Sequence, residues 1–127
     1  MDFNYAGELL KLCEETKLPI SEVMKRREMD FSSMTAQEVE EKMRKSLEIM
    51  KTAAKEPLEN EKPSMGGLIG GEAKLLFSQK GKEKDICGDV VLKAITYAMA
   101  VLEVNASMGV IVAAPTAGSA GVIPGVF

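Results

Sequence analysis

Residues 35–55 read TAQEVEEKMRKSLEIMKTAAK, and this stretch decides the fold class. Thr35 and Glu38 stand at capping-box spacing: a hydroxyl faces the amide three residues on, and a carboxylate reaches back. Behind them Val39, Met43, Leu47, Met50 and Ala54 recur at intervals of three and four, drawing one apolar stripe along a helix. Glu38 precedes Lys42, Glu40 precedes Arg44 and Glu41 precedes Lys45 by one turn, the favoured order for ion pairs on a helix face. Such pairs contribute only about 0.2–0.5 kcal/mol each, so they support the helix without placing it. The stripe reads as core or subunit contact, and the charged face as solvated surface.

Working outward, the N-terminal flank is helical too. Asn4 is positioned to cap a short helix with Leu9, Leu12 and Cys13 on one face and Tyr5 nearby. Pro19 suits the first turn of a second short helix with Ile20, Val23 and Met24 inward. Residues 57–64, with two prolines, read as a connection after a helix that ends near Lys55. Beyond it the character changes. Residues 1–63 hold 11 Lys/Arg, 14 Asp/Glu and one glycine, whereas residues 64–127 hold five of each charge and ten glycines. Residues 72–77 suit a short helix, 78–84 a polar loop, and 89–104 a helix apolar nearly all round and therefore buried. From Val104 to Phe127 there is no charge. That segment breaks at Pro115, well short of the ~20 apolar residues a membrane span needs, so it reads as interior or interface. The fold class is mostly α with glycine-rich loops.

At 127 residues, 46% hydrophobic and 28% charged, the chain has the balance of one small globular domain. A net charge of −3 with no basic patch argues against nucleic-acid binding. The N-terminus lacks the basic flank and apolar run of a signal peptide, so a cytoplasmic setting is expected. Cys13 and Cys87 lie in no ligand spacing and read as small apolar residues rather than a disulfide. Histidine is absent, which removes the commonest general base and metal ligand. Any chemistry served here draws on another chain or a cofactor.

Two glycine clusters stand out. One is Ser64-Met65-Gly66-Gly67-Leu68-Ile69-Gly70-Gly71-Glu72; the other runs Ala114-Pro115-Thr116-Ala117-Gly118-Ser119-Ala120-Gly121-Val122-Ile123-Pro124-Gly125. Glycine permits positive φ and close approach of a ligand to the main chain, and clustered N–H groups make an anion-binding concavity. Neither cluster has the spacing of a phosphate-binding P-loop or a dinucleotide fingerprint. Close packing of helices through small residues is the competing explanation for both. Between the clusters lies Glu103-Val104-Asn105-Ala106-Ser107-Met108-Gly109. Asn105 is either an internally bonded amide or a ligand contact. Glu103 is either a buried carboxylate or one end of an ion pair.

Together, residues 64–75, 98–109 and 111–125 resemble the alpha chain of bacterial iron–sulfur L-serine dehydratases, the last stretch most specifically. The resemblance extends over nearly the whole chain and places residues 1–127 as the N-terminal part of that helical catalytic domain. It implies conversion of L-serine to pyruvate and ammonia, with a [4Fe–4S] cluster acting as Lewis acid. The family's cluster cysteines lie beyond the Pro-Thr-Ala-Gly-Ser motif, so none of the cluster's ligands is expected here and the isolated chain is expected to be inactive. A family histidine lies in the beta region, which makes a beta chain the expected partner, with L-serine as substrate and an oligomeric assembly. Leu68-Ile69-Gly70-Gly71 replaces the family's frequent Leu-Thr-Gly-Gly, losing a hydroxyl.

On this resemblance, Thr116, Gly118, Ser119, Ala120 and Gly121 are expected to shape the substrate pocket and bind the serine carboxylate. Ser64, Gly66, Gly67, Gly70 and Gly71 line the same pocket or pack its wall. Asn105 contacts substrate or orients the Thr116 loop. No residue is assigned as catalytic base or metal ligand. The rival classes are a non-enzymatic helical interaction module and a dehydratase of another hydroxy amino acid.

Overall fold

A computed structural model describes residues 2–81 and 87–127. Among them are six α-helices and no strand: α1 (Ala6–Thr16), α2 (Ile20–Ser32), α3 (Ala36–Glu59), α4 (Glu72–Phe77), α5 (Asp89–Ala106) and α6 (Val122–Val126), with a single 3-10 turn at Ala117–Ser119. The mostly α class expected from the periodicity is the class observed. The polar loop expected over 78–84 is described only as far as Gly81; its remainder lies outside the described residues. The chain forms two compact units, Met1–Lys45 and Ser46–Phe127.

In the first unit, α1 packs on α2. Leu9, Leu12 and Cys13 are half-buried as their spacing predicts. Tyr5, not Asn4, takes the cap position of α1. The reason is Glu8, whose Oε2 accepts the N–H groups of Asn4 at 2.7 Å and Tyr5 at 3.2 Å, doing from inside the helix what Asn4 was expected to do from outside. Pro19 caps α2. Only Val23 of its expected inward trio is buried; Ile20 and Met24 are exposed. The helices α1 and α2 end on Lys17 and Ser33, both in the left-handed region at φ 57° and 55°, where no glycine is available.

The capping box of α3 forms as expected. Thr35 N–H donates to Glu38 Oε2 at 2.8 Å, and Glu38 N–H donates to Thr35 Oγ1 at 3.3 Å. The Thr35 N–H and the Thr35 hydroxyl, which donates to the same Oε2 at 2.8 Å, hold the Glu38 carboxyl below its ordinary range, the main-chain N–H contributing most. The three expected i,i+4 ion pairs do not close among the described residues. Glu40 instead pairs with Lys25 across to α2, which lowers the Glu40 pKa and raises that of Lys25. In the stripe, Val39 and Ala54 are buried, Leu47 and Met50 half-buried, and Met43 exposed. The helix also outruns its expected end: Pro57 lies inside it, buried, and α3 stops only at Glu59. A proline removes one backbone donor, and so near the C-terminus little of the ladder remains beyond it.

In the second unit, Ala53, Ala54, Val101, Val104 and Ala120 form the core, with Tyr97 and Ile111 packed against it. α5 is the central element, contacted by α4 and α6. Its expected all-round burial is not observed: Thr96, Ala100, Val101, Glu103 and Val104 are buried, while Val90, Val91, Ile95 and Leu102 face outward. An apolar surface is buried only where a neighbour is packed on it, and α4, α6 and the core leave those four side chains uncovered. No helix among the described residues is long and apolar enough to cross a membrane.

Candidate functional site

The first glycine cluster is a loop strung between the end of α3 and the start of α4. Ser64 closes it: its N–H donates to Ile69 O at 2.8 Å, and its Oγ accepts Ile69 N–H at 3.1 Å. Inside that loop Gly67 turns at φ 66°, stabilised by its N–H on Ser64 O at 2.9 Å. Gly66 and Gly67 face open space. Gly70 and Gly71 then adopt φ 147° and 97°, a reversal that L side chains resist. At Gly70 a Cβ would also lie 2.9 Å from Lys62 O.

The donors of this reversal are already engaged. Gly70 N–H donates to Glu72 Oε2 at 2.7 Å. Gly71 N–H donates to Glu103 Oε2 at 3.3 Å, and Ala73 N–H to Glu103 Oε1 at 2.7 Å. Glu72 is held below its ordinary range by backbone N–H bonds, its own and that of Gly70. Glu103 is 4% exposed; its two oxygens accept N–H groups at the N-terminus of α4, and its side chain also shares a hydrogen bond with that of Glu72. It is the buried-carboxylate alternative of the two open at Glu103, not an ion pair. Sequence reasoning gave it no site role, although one signal was present: it is the sole charged residue between Lys93 and Phe127. A shallow hollow of about 480 Å³ beside this turn is lined by Glu61, Gly70, Gly71, Glu72, Lys74, Leu75 and Ser78. Lys74 spans it to Glu61 at 3.0 Å.

The second cluster divides into two parts with different work. The 3-10 turn Ala117–Ser119 is organised by the Ser119 hydroxyl. Its Oγ accepts Thr116 N–H at 3.2 Å, lies 3.0 Å from Thr116 Oγ1, and stands 3.1 and 3.2 Å from the carbonyl oxygens of Ala114 and Thr116. The Ala114–Pro115 bond leading in is cis. Thr116, Ala117 and Gly118 are exposed and Ser119 is half-buried. The N–H groups of Ala117 and Gly118 meet no acceptor among the described residues, and a Cβ on Gly118 would find only Thr116 Oγ1, 3.9 Å away. From Ala120 on, the segment is packed inward. Ala120 is in the core. Gly121 and Gly125 lie on the backbone of α5, where a Cβ would come within 2.5 Å of Ala98 O and 2.8 Å of Ala94 O.

Asn105 is half-buried in the last turn of α5, and its side-chain amide makes no hydrogen bond among the described residues. Of the expected site residues, then, Thr116, Gly118 and Ser119 present open polar groups on the second loop, Ala120 and Gly121 anchor them on α5, and Ser64, Gly66, Gly67, Gly70 and Gly71 form the first loop, held by the same helix. The hollow beside the first loop contains no residue of the second. Cys13 is half-buried in α1 and Cys87 exposed ahead of α5, and no group of three or more His, Cys, Asp or Glu side chains among the described residues could hold a metal ion.

Comparison with known proteins gives a consistent result. A family described as serine dehydratase alpha chain matches residues 15–127. The probable L-serine dehydratase alpha chain of Bacillus subtilis is 39% identical over 123 residues, covering 97% of this chain and 41% of the relative. The L-serine dehydratase alpha chain of Peptoniphilus asaccharolyticus is 36% identical, covering 95% of this chain and 41% of the relative. L-serine dehydratase TdcG of Escherichia coli is 33% identical over 130 residues, with 28% of its length covered. The chain thus spans about two fifths of the length of the first two relatives. No solved structure matches it.

Proposed function

The chain belongs to the serine dehydratase alpha-chain family, and from that membership we propose that it forms part of an L-serine ammonia-lyase, in which the Thr116–Ser119 turn receives the substrate carboxylate. The reaction removes the α-proton and the β-hydroxyl of L-serine, and the resulting enamine hydrolyses to pyruvate and ammonia. The observation that carries the reading is the pair of exposed, unengaged N–H groups at Ala117 and Gly118, on a turn whose shape is set by Ser119. Adjacent main-chain N–H groups suit a carboxylate, and a turn already locked loses little freedom when the ligand arrives.

The first loop takes the other role expected of it. Because Gly70 and Gly71 already donate to Glu72 and Glu103, this loop packs the pocket wall rather than binding the carboxylate. Asn105, with its open amide, faces a ligand or the second loop.

A [4Fe–4S] cluster needs about three or four cysteine thiolates. The two cysteines of this chain stand in separate compact units with no further metal-ligand group among the described residues. These residues do not fit the cluster, so in this reading it is held elsewhere in the complete enzyme, together with the group that removes the α-proton. A beta chain is the proposed partner, the assembly is an oligomer, and the setting is cytoplasmic.

Gly118→Ala is the direct test. The added methyl meets nothing closer than 3.9 Å, so folding is unaffected. In the assembled enzyme it intrudes on the bound carboxylate, and the KM for L-serine rises about tenfold, equivalent to about 1.4 kcal/mol of binding. A helical interaction module whose glycines serve only packing would show no change in serine binding.

A further inference from the structure

The geometry points to Glu103 as a positioning residue that sets the shape of the substrate-pocket wall by holding the Gly70–Gly71 reversal from inside α5. This inference rests on the serine reading above, which gives the wall its purpose.

Three observations converge on it. Glu103 is 4% exposed and has no cation within ion-pair distance among the described residues. A carboxyl is seldom buried for packing alone; it persists where its oxygens find hydrogen bonds. Here those bonds come from main-chain N–H groups of Gly71 and Ala73, 32 and 30 positions earlier in sequence. The carboxyl therefore fixes backbone, and it also meets the side chain of Glu72, which itself accepts the N–H of Gly70 in the same reversal. Second, the backbone it fixes is the one least able to hold itself. Gly70 and Gly71 sit at φ 147° and 97°, and two consecutive glycines are otherwise free to explore both signs of φ. Third, Glu103 acts with its neighbour one turn on. Ala106 O accepts Met65 N–H at 3.2 Å, and residues three apart lie on one helix face. The last turn of α5 thus grips the first glycine loop near its start, at Met65, and at its end, at Gly71. Asn105, whose amide is open, stands between the two grips.

The carboxylate matters chemically, not just sterically. In Glu103→Gln the amide oxygen still accepts one N–H, but the NH₂ group confronts the other donor, so one of the two grips on the Gly71–Ala73 backbone is lost. Two measurements read the consequence. The first is amide hydrogen exchange in this chain. Exchange at Gly71 and Ala73 accelerates at least about tenfold relative to Ala100 and Val101 in the middle of α5. The second is kinetics of the assembled enzyme. The KM for L-serine rises about tenfold while kcat changes by less than about threefold, the signature of lost ground-state binding. A purely structural role would lower the melting temperature and leave KM of the folded enzyme as it was.

Unchanged exchange at Gly71 and Ala73 overturns the proposed hold. Faster exchange with an unchanged KM overturns its link to substrate. Should Glu103→Gln fail to fold, Gly71→Ala disturbs the same turn from the other side, because alanine resists φ 97° while leaving Glu103 in place. It gives the same rise in KM and the same faster exchange at Ala73; wild-type values in both reject the proposal. Gly118→Ala separates this inference from the reading beneath it. If that variant raises KM and Glu103→Gln does not, serine binding stands and the role of Glu103 falls; if neither does, the serine reading falls as well.

Discussion

Gly121 lies so close to Ala98 that a Cβ placed on it would stand 2.5 Å from the Ala98 carbonyl oxygen and 3.0 Å from its Cα. The atoms in the way are helix backbone and cannot rotate aside. Gly125, one turn later, meets Ala94 O at 2.8 Å and Ala98 Cβ at 3.1 Å. The short helix α6 is therefore seated on α5 through two glycines, and the Thr116–Ser119 turn hangs from that seat by way of buried Ala120. Gly121→Ala forces the helices apart. Overpacking of this kind destabilises by about 1–3 kcal/mol, so thermal unfolding shifts down by several degrees. Gly118→Ala, in the exposed part of the same motif, leaves the melting temperature within a degree or so of wild type. Equal shifts for both variants would mean that the two glycines share one role.

At Gly70 strain and crowding combine. Its φ of 147° disfavours any side chain, and a Cβ would lie 2.9 Å from Lys62 O and 3.1 Å from the Pro63 Cα. Gly70→Ala is expected to destabilise the second unit by about 1–3 kcal/mol, the range for a residue held in a sparsely populated backbone region. A urea unfolding midpoint measured beside that of Gly66→Ala gives the contrast, since Gly66 has open space around it and no positive φ.

These positions also show what could be read without a structure. The Thr35–Glu38 box was legible because both partners lie within one turn, so local spacing determines the bond. The onset of α2 to within one residue of Pro19 and the whole of α4 were legible from local sequence as well. The roles of Gly121 and Glu103 were not. The first depends on α5 backbone 23 positions away and the second on amides 30 and 32 positions away, and no local rule pairs them. Apolar spacing likewise marks a face that wants cover without saying where cover arrives. Val39 and Met43 belong to one stripe, yet Val39 is buried and Met43 is 68% exposed. On α5, Val101 is buried and Val90 is 81% exposed for the same cause. Of the candidate site, the residue types in the Thr116 turn were legible; which N–H groups remain open depends on where Ser119 places its hydroxyl.

Acid should destabilise the chain in a defined window. Glu38, Glu40 and Glu72 all have pKa values below the ordinary 4.5, through the N–H of Thr35, the ammonium of Lys25 and backbone N–H bonds respectively. The folded state therefore binds fewer protons than the unfolded chain near that pH. The stabilisation is fully present above about pH 4.5 and is lost as pH falls through the folded-state values. Urea midpoints collected from pH 6 to pH 3 follow the loss. Glu38→Gln removes one contribution and flattens the profile. Thr35→Ala flattens it less, because the larger influence on Glu38 is the main-chain N–H of Thr35, which alanine retains; its capping loss of about 0.5–2 kcal/mol appears at neutral pH instead.

Ser119→Ala tests whether the open donors of the Thr116 turn are positioned or merely exposed. The hydroxyl accepts Thr116 N–H and stands within hydrogen-bond distance of Thr116 Oγ1 and of two carbonyl oxygens. The turn around it is exposed, so water replaces most of these bonds, and the loss of stability stays near the low end of the ~0.5–1.5 kcal/mol of an ordinary hydrogen bond. Binding is affected differently. Without the hydroxyl, the turn that carries the Ala117 and Gly118 N–H groups loses the bonds that organise it, and the ordering must be done by the ligand when it binds. In the assembled enzyme the KM for L-serine is expected to rise about five- to tenfold, corresponding to about 1–1.4 kcal/mol, with a melting temperature close to wild type. Ser119→Thr keeps an acceptor at the same place and should recover part of the affinity. Loss of stability without any change in KM would assign Ser119 to the fold alone and detach the turn from the substrate.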